Sequence, residues 1–149
     1  PDAVMACPGD AAVLHRQRVA VCIAHPDRHG AARVVVRHNR LKVGLLKPRV
    51  FRPFPHEQLV AALGQCKAVA VLDRSISFGA MAGAGPLFLE LAAAFAAHGN
   101  CSTQLVDYIF GLGGRDIVPA YIEQVVRDLQ EVVRTGSRGS LVRYLGLRE

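Results

Sequence analysis

The stretch AVAVLDRSISFGAMAGAGP, residues 68–86, constrains the fold more than any other part of the chain. Residues 68–72 form an apolar run too short for a helix and rich enough in valine for a buried strand. Asp73 and Arg74 end that run, and Ser75, Ser77, Gly79, Gly83 and Gly85 make a turn that permits close backbone approach. Pro86 then opens the helix PLFLELAAAFAAH, at a position where a missing N–H costs nothing. Strand, glycine-rich turn and helix form the unit of an open α/β sheet, which carries its functional surface at the carboxyl ends of the strands. The unit recurs. Residues 104–110 read as a strand, Gly111, Gly113, Gly114, Arg115 and Asp116 lie in its turn, and Pro119 starts the next helix. Both turns are expected on one edge of one sheet.

The rest of the chain fits this scheme. Residues 18–24 and 42–46 read as strands, and residues 31–40 are compatible with either helix or strand. Prolines 48, 53 and 55 keep the chain extended before the helix PHEQLVAAL, which Gly64 ends. In residues 119–135 the apolar positions 122, 125, 126, 129, 132 and 133 make one stripe able to cover a sheet, and Gly136 is the expected terminator. Residues 1–10 read as turn-rich and frayed, and residues 141–147 as a last helical turn. The alanine-rich helix 86–98 has almost no polar face, which predicts burial on more than one side and contact with another subunit or domain.

The 149 residues suffice for a single domain, 1–149, with one sizeable core. No run approaches a membrane span, and PDAVMACPGD lacks the build of a signal peptide, so a cytoplasmic setting is expected. Cysteines 7, 22, 66 and 101 form no C-x-x-C pair and are expected as buried, reduced thiols. The basic excess lies in the first third, where residues 1–52 hold ten Lys/Arg against three Asp/Glu. Without interleaved aromatics it reads as a solvated or interface surface and not as a nucleic-acid site.

Chemistry is sparse. The turn 75–85 precedes a helix and could cradle an anion, but G-x-x-x-G-x-G matches neither the dinucleotide fingerprint nor a P-loop. A close-packed turn at an interface is the simpler reading. Arg115 could clamp a carboxylate or phosphate, or pair with Asp116, and the pair is the simpler of the two. His25 and His29 are four apart behind Cys22, but Pro26 opposes a helical metal motif there, and His56 and His98 read as isolated surface residues.

KVGLLKPRVFRPFP (42–55), AVAVLDRSISFGAMAGAGPLFLE (68–90) and YIFGLGGRDIVP (108–119) resemble the C-terminal part of the α subunit of pyruvate:ferredoxin oxidoreductase, one of the 2-oxoacid:ferredoxin oxidoreductases. The resemblance runs in order over residues 42–149 and is weak over 1–40, and RYLGLRE looks like the end of a separate α chain. It implies a three-layer α/β/α sandwich on a mostly parallel sheet, akin to the transketolase C-terminal domain. It also implies a complex that uses thiamine diphosphate, magnesium, iron–sulfur clusters and coenzyme A, with ferredoxin as electron acceptor. No motif for binding those cofactors occurs in this chain, so no catalytic residue carries over. What the resemblance implies is a role in subunit assembly for the turns that hold Asp73, Arg74, Ser75, Ser77, Gly79, Gly83 and Gly85, and Gly111, Gly113, Gly114, Arg115 and Asp116. Val118 stands where the family usually has a threonine that caps the following helix.

Overall fold

The computed structural model describes residues 4–6, 19–23 and 43–147. Six strands, β1 (Val4–Ala6), β2 (Val19–Ile23), β3 (Val43–Pro48), β4 (Ala68–Asp73), β5 (Gln104–Ile109) and β6 (Val142–Tyr144), form one sheet in the order β1-β3-β2-β4-β5-β6. All neighbours are parallel except β1, which runs antiparallel to β3. Three helices connect the later strands: α1 (His56–Leu63), α2 (Pro86–Ala97) and α3 (Pro119–Thr135). Short 3₁₀ turns at Met81–Gly83 and Leu112–Gly114 lie in the two glycine-rich connections. The metal-motif residues His25 and His29, the ambiguous stretch 31–40 and most of the basic first third fall outside the described residues.

Side-chain alternation on the two central strands divides the core. Ala68, Ala70 and Leu72 of β4 and Val106 and Tyr108 of β5 pack against the α3 stripe of Ile122, Val125, Val126, Leu129 and Val132. Val69 and Val71, with Leu105 and Ile109, pack against Leu59 and Leu63 of α1 and Leu87, Phe88, Leu91 and Phe95 of α2. Burial of each such large side chain contributes about 1.5–3 kcal/mol. Helices therefore cover both faces of a mostly parallel sheet, which is the expected three-layer α/β/α sandwich. Both faces of β4 and β5 are covered, so these strands read as nearly continuous apolar runs.

Three readings of the sequence need correction. Residues 142–144 form strand β6, not a helical turn: β5 offers an open edge, and Asp107 N–H donates to the Leu141 carbonyl while Leu145 N–H donates to that of Ile109. Residues 4–6 form an edge strand on β3 where a frayed end was expected. Cys101 is exposed, whereas Cys66 is buried and its thiol is pushed up to about 11 by that burial. Gly64 ends α1 as expected, with a right-handed φ; a Cβ there would meet the Val60 carbonyl oxygen and the Asn100 amide, so close approach is what the position requires. Gly136 does what was expected, closing α3 at φ 73° with its N–H on the Val132 carbonyl.

The start of α3 carries a removable defect. Val118 occupies the N-cap with extended backbone angles, is exposed, and offers no acceptor to the first helical N–H groups. Val118→Thr supplies one without altering the core. It is expected to stabilise the chain by about 1 kcal/mol, seen as a higher urea midpoint at unchanged slope.

Candidate functional site

Two aspartates stand where the alternation of β4 and β5 calls for apolar side chains. Asp73 ends β4, and Asp107 lies in β5 opposite Val71. Both point to the face covered by α2, and both are buried. The α2 N-terminus is set directly against them. Asp73 Oδ1 accepts the N–H of Leu87 at 3.1 Å and its Oδ2 that of Phe88 at 2.9 Å. Asp107 Oδ2 accepts the N–H of Gly85 at 2.7 Å. Three donors from the first turn of a helix with no local side-chain cap are thus satisfied by carboxylates from two strands. The positive end of the helix dipole favours the negative charge.

Burial opposes that charge. It raises the Asp107 carboxyl to about 7, with the neighbouring Asp73 charge pushing in the same direction and the Gly85 hydrogen bond opposing it. Burial also raises Asp73, but against two hydrogen bonds, from Phe88 and Leu87. Asp107 Oδ1 is buried with no hydrogen-bond partner. Asp73 is therefore the better-solvated anion of the pair, and Asp107 the group that takes up a proton near neutrality.

This arrangement decides what the first turn can do. The N–H groups of Gly85, Leu87 and Phe88 point at the protein's own carboxylates, so α2 does not offer them to an external anion. The anion-cradle reading of the turn loses its donors. Gly85 is required for a different reason: a Cβ at this position would fall inside the Asp73 side chain. The turn closes on itself through Ser77 N–H to the Ala84 carbonyl and Gly83 N–H to that of Ala80. Gly79 and Gly83 take positive φ, and so does Ala82 at 56°. Ser75 and Gly79 are exposed, and Ser77 is half-buried.

The second turn lies beside the first. Phe110 N–H donates to the Asp73 carbonyl, and a Cβ on Gly111 would touch the Arg74 side chain, so Gly111 leaves the path by which Arg74 crosses between turns. Gly111, Gly113 and Gly114 all have positive φ. Arg115 does not pair with Asp116, which is exposed; its guanidinium donates to the Gly146 carbonyl at 2.5 Å and ties the turn to the segment after β6. Gly146 is in turn packed under the Tyr121 ring, while Gly83 approaches the Tyr144 hydroxyl. The structure thus joins the two predicted turns with a third segment, 144–147, that sequence reasoning had not included.

The described residues do not fit the magnesium ion or iron–sulfur clusters that the resemblance implies. Among the described residues no group of three His, Cys, Asp or Glu is placed to hold a metal ion, and the two aspartates are committed to α2. Cys66 is buried and Cys101 is exposed, so these two thiols do not converge on one site. Sequence reasoning singled out Asp73 as the strand terminator and as part of the interface turn, and missed Asp107. The available signal was a charged residue at an inward position of QLVDYI.

Gly85 and Gly79 provide a contrast. Gly85→Ala drives a methyl group into Asp73 and is expected to cost more than about 2 kcal/mol. Gly79→Ala, in open space at φ 78°, pays only for the left-handed backbone, about 1 kcal/mol. Chemical unfolding of both variants measures the difference, and equal losses would count against the packing of Gly85 on Asp73.

The sequence comparisons agree with this architecture. The model of the family described as pyruvate:ferredoxin oxidoreductase core domain II matches residues 19–122. Over 107 residues the chain is 41% identical to pyruvate synthase subunit PorA of Methanothermobacter thermautotrophicus, covering 72% of this chain and 24% of that subunit. It is 42% identical over 118 residues to pyruvate synthase subunit PorA of Thermotoga maritima, covering 76% and 27%. With ketoisovalerate oxidoreductase subunit VorA of Pyrococcus abyssi the identity is 36% over 114 residues, covering 76% and 28%. The chain spans about a quarter of the length of these curated relatives. With a fold of helices on both faces of a mostly parallel sheet and a family match over residues 19–122, the chain belongs to the pyruvate:ferredoxin oxidoreductase core domain II family.

Proposed function

We propose that this chain is an assembly domain of a thiamine-diphosphate-dependent 2-oxoacid:ferredoxin oxidoreductase, docking other subunits through the carboxyl edge of its sheet. One observation carries this reading. The exposed large hydrophobics among the described residues are Phe51, Phe78, Met81, Val118, Tyr144 and Leu147. Phe51 lies in the connection that leaves β3, Phe78 and Met81 in the one that leaves β4, and Val118 in the one that leaves β5; Tyr144 ends β6 and Leu147 follows it. The connections at the amino ends expose polar and small residues instead, such as Gln65, Lys67, Gly99, Ser102, Ser137 and Arg138. Apolar side chains gathered on one end of a domain mark a protein contact.

The turns support the same use. Phe78 is 95% exposed and Met81 69%, on a loop that its own hydrogen bonds hold and in which Ala82 keeps a left-handed backbone. A loop shaped this way presents its apolar tip rather than burying it. The proposed contact comprises the turn of Asp73, Arg74, Ser75, Ser77, Gly79, Gly83 and Gly85, and that of Gly111, Gly113, Gly114, Arg115 and Asp116. The exposed alanines 93, 96 and 97 give α2 a shallow outer face on which a neighbouring backbone can approach closely. Thiamine diphosphate, magnesium, the iron–sulfur clusters and coenzyme A belong, on this reading, to other parts of a cytoplasmic complex that passes electrons to ferredoxin. The polypeptide 1–149 acts in it as one domain without catalytic residues. No helix among the described residues is long and apolar enough to cross a membrane.

Affinity purification of the tagged chain from its native host tests the reading. Co-purification of oxidoreductase subunits with C-x-x-C cluster motifs is expected, together with pyruvate-dependent reduction of a viologen dye by the assembly and none by the chain alone. Phe78→Asp with Met81→Asp is expected to release the partners while leaving the unfolding midpoint unchanged. Partners retained by that double variant, or turnover by the chain alone, would overturn the proposal.

A further inference from the structure

His56 and His98 are 42 positions apart in sequence, yet their side chains meet at the α1–α2 contact. His56 is the first residue of α1, and His98 caps the C-terminus of α2. Both are exposed, and His56 Nδ1 lies 3.1 Å from His98 Nε2. The ring planes are tilted by 39°. Two facing ring nitrogens of this kind share one proton, the donor nitrogen on one ring and the lone pair on the other.

The spacing also suits a different occupant. Two imidazole nitrogens bound to one ion at about 2.0–2.1 Å are separated by roughly 2.8–3.4 Å, from cis-octahedral to tetrahedral geometry. We propose that His56 and His98 form a two-imidazole site for a divalent transition metal, zinc or nickel in class, that clasps α1 to α2. Imidazole suits both ions, and water completes the coordination because both side chains face solvent. Binding requires the shared proton to move to the far nitrogen of its own ring, so that both facing nitrogens present lone pairs. A rotation of the exposed rings then turns those lone pairs onto one ion. No proton leaves the pair and no electron moves.

The α2 end of the pair favours a cation. α2 carries no basic residue in its last turn, and its C-terminal carbonyls give that end negative character. Glu57 follows His56 in the first turn of α1, and both line an open cleft with Val50, Pro53 and Phe54. The site is separate from the carboxylate pair, which lies at the other end of α2.

The test uses the full chain stripped of metal with a chelator and titrated calorimetrically with zinc chloride or nickel chloride. The wild type is expected to bind at micromolar concentration, with a rise in the thermal midpoint. His56→Ala and His98→Ala should each lose one equivalent of ion, or bind at least tenfold more weakly, and lose the midpoint rise. His98→Gln, which keeps a hydrogen-bonding side chain but not the imidazole, should behave like His98→Ala and thereby separates metal loss from damage to the helix contact. Absence of binding by the wild type below millimolar metal would overturn the site. Unchanged affinity and stoichiometry in the variants would also overturn it, because the ion would then be held by other side chains, such as His25 and His29.

Discussion

The carboxylates of Asp73 and Asp107 hold the N-terminus of α2, and the carboxyl edge of the sheet depends on that contact. A helix whose N-cap is glycine has free N–H groups and no cap side chain with which to satisfy them. Here the strands supply the acceptors. Because Asp73 must reach Leu87 and Phe88, the backbone at Gly85 passes so close that no Cβ fits. The eleven residues between Asp73 and Gly85 are then pinned at both ends, and the turn closes on the Ser77–Ala84 hydrogen bond. Its apolar tip, Phe78 and Met81, is left outside.

The same constraint passes to the neighbouring turn. Asp73 gives its side chain to α2 and its backbone carbonyl to Phe110, so the end of β4 fixes the start of both connections. Arg74 runs past Gly111, and Arg115 reaches Gly146 beyond β6. On the other face, the fully buried Tyr108 donates its hydroxyl to Asp128 and accepts from Arg143, and those two pair at 2.8 Å and join α3 to β6. Burial is the first cause that holds the Tyr108 hydroxyl well above the usual tyrosine range, followed by the Asp128 charge, so it serves as a neutral bridge. Edge strand β6 is therefore fixed by polar contacts as well as by Val142 and Leu145. A long stack of anchored turns at one end of the sheet is what an assembly surface needs, since ordering it on contact costs little further entropy.

Features governed by local chemistry were legible in the sequence. A valine-rich run gave β4, the run 104–110 before a glycine-rich turn gave β5, proline at the first helical position gave α2 and α3, and the 3.6-residue stripe gave the buried face of α3. Features that depend on distant partners were not. Asp107 looks like a strand residue with an odd charge until α2 is set against it. Arg115 and Asp116 are adjacent and opposite in charge, yet the arginine finds a carbonyl 31 positions away. Residues 142–144 have no strand signal strong enough to outweigh their short length, and only the open edge of β5 makes them a strand. The His56–His98 pair is invisible for the same reason, because nothing in either neighbourhood reveals how α1 crosses the end of α2. The strand–turn–helix pattern located the turns, while the physical role of the aspartates within them came from the geometry.

The pH dependence of stability tests the role of the carboxylate pair most directly. A buried Asp107 raised to about 7 binds its proton more tightly in the folded chain than in the unfolded one, where a carboxyl titrates near 3.8. Its contribution is fully present below about pH 4 and is lost as pH rises through about 7. The upward shift of Asp73 acts in the same direction. Urea unfolding at constant ionic strength should therefore show the wild type gaining stability between pH 8.5 and pH 5.5, and Asp107→Asn, which keeps the shape without the charge, losing most of that gain. Identical pH profiles for the two proteins would contradict the account, because Asp107 would then titrate like a solvated carboxylate rather than one enclosed beneath α2.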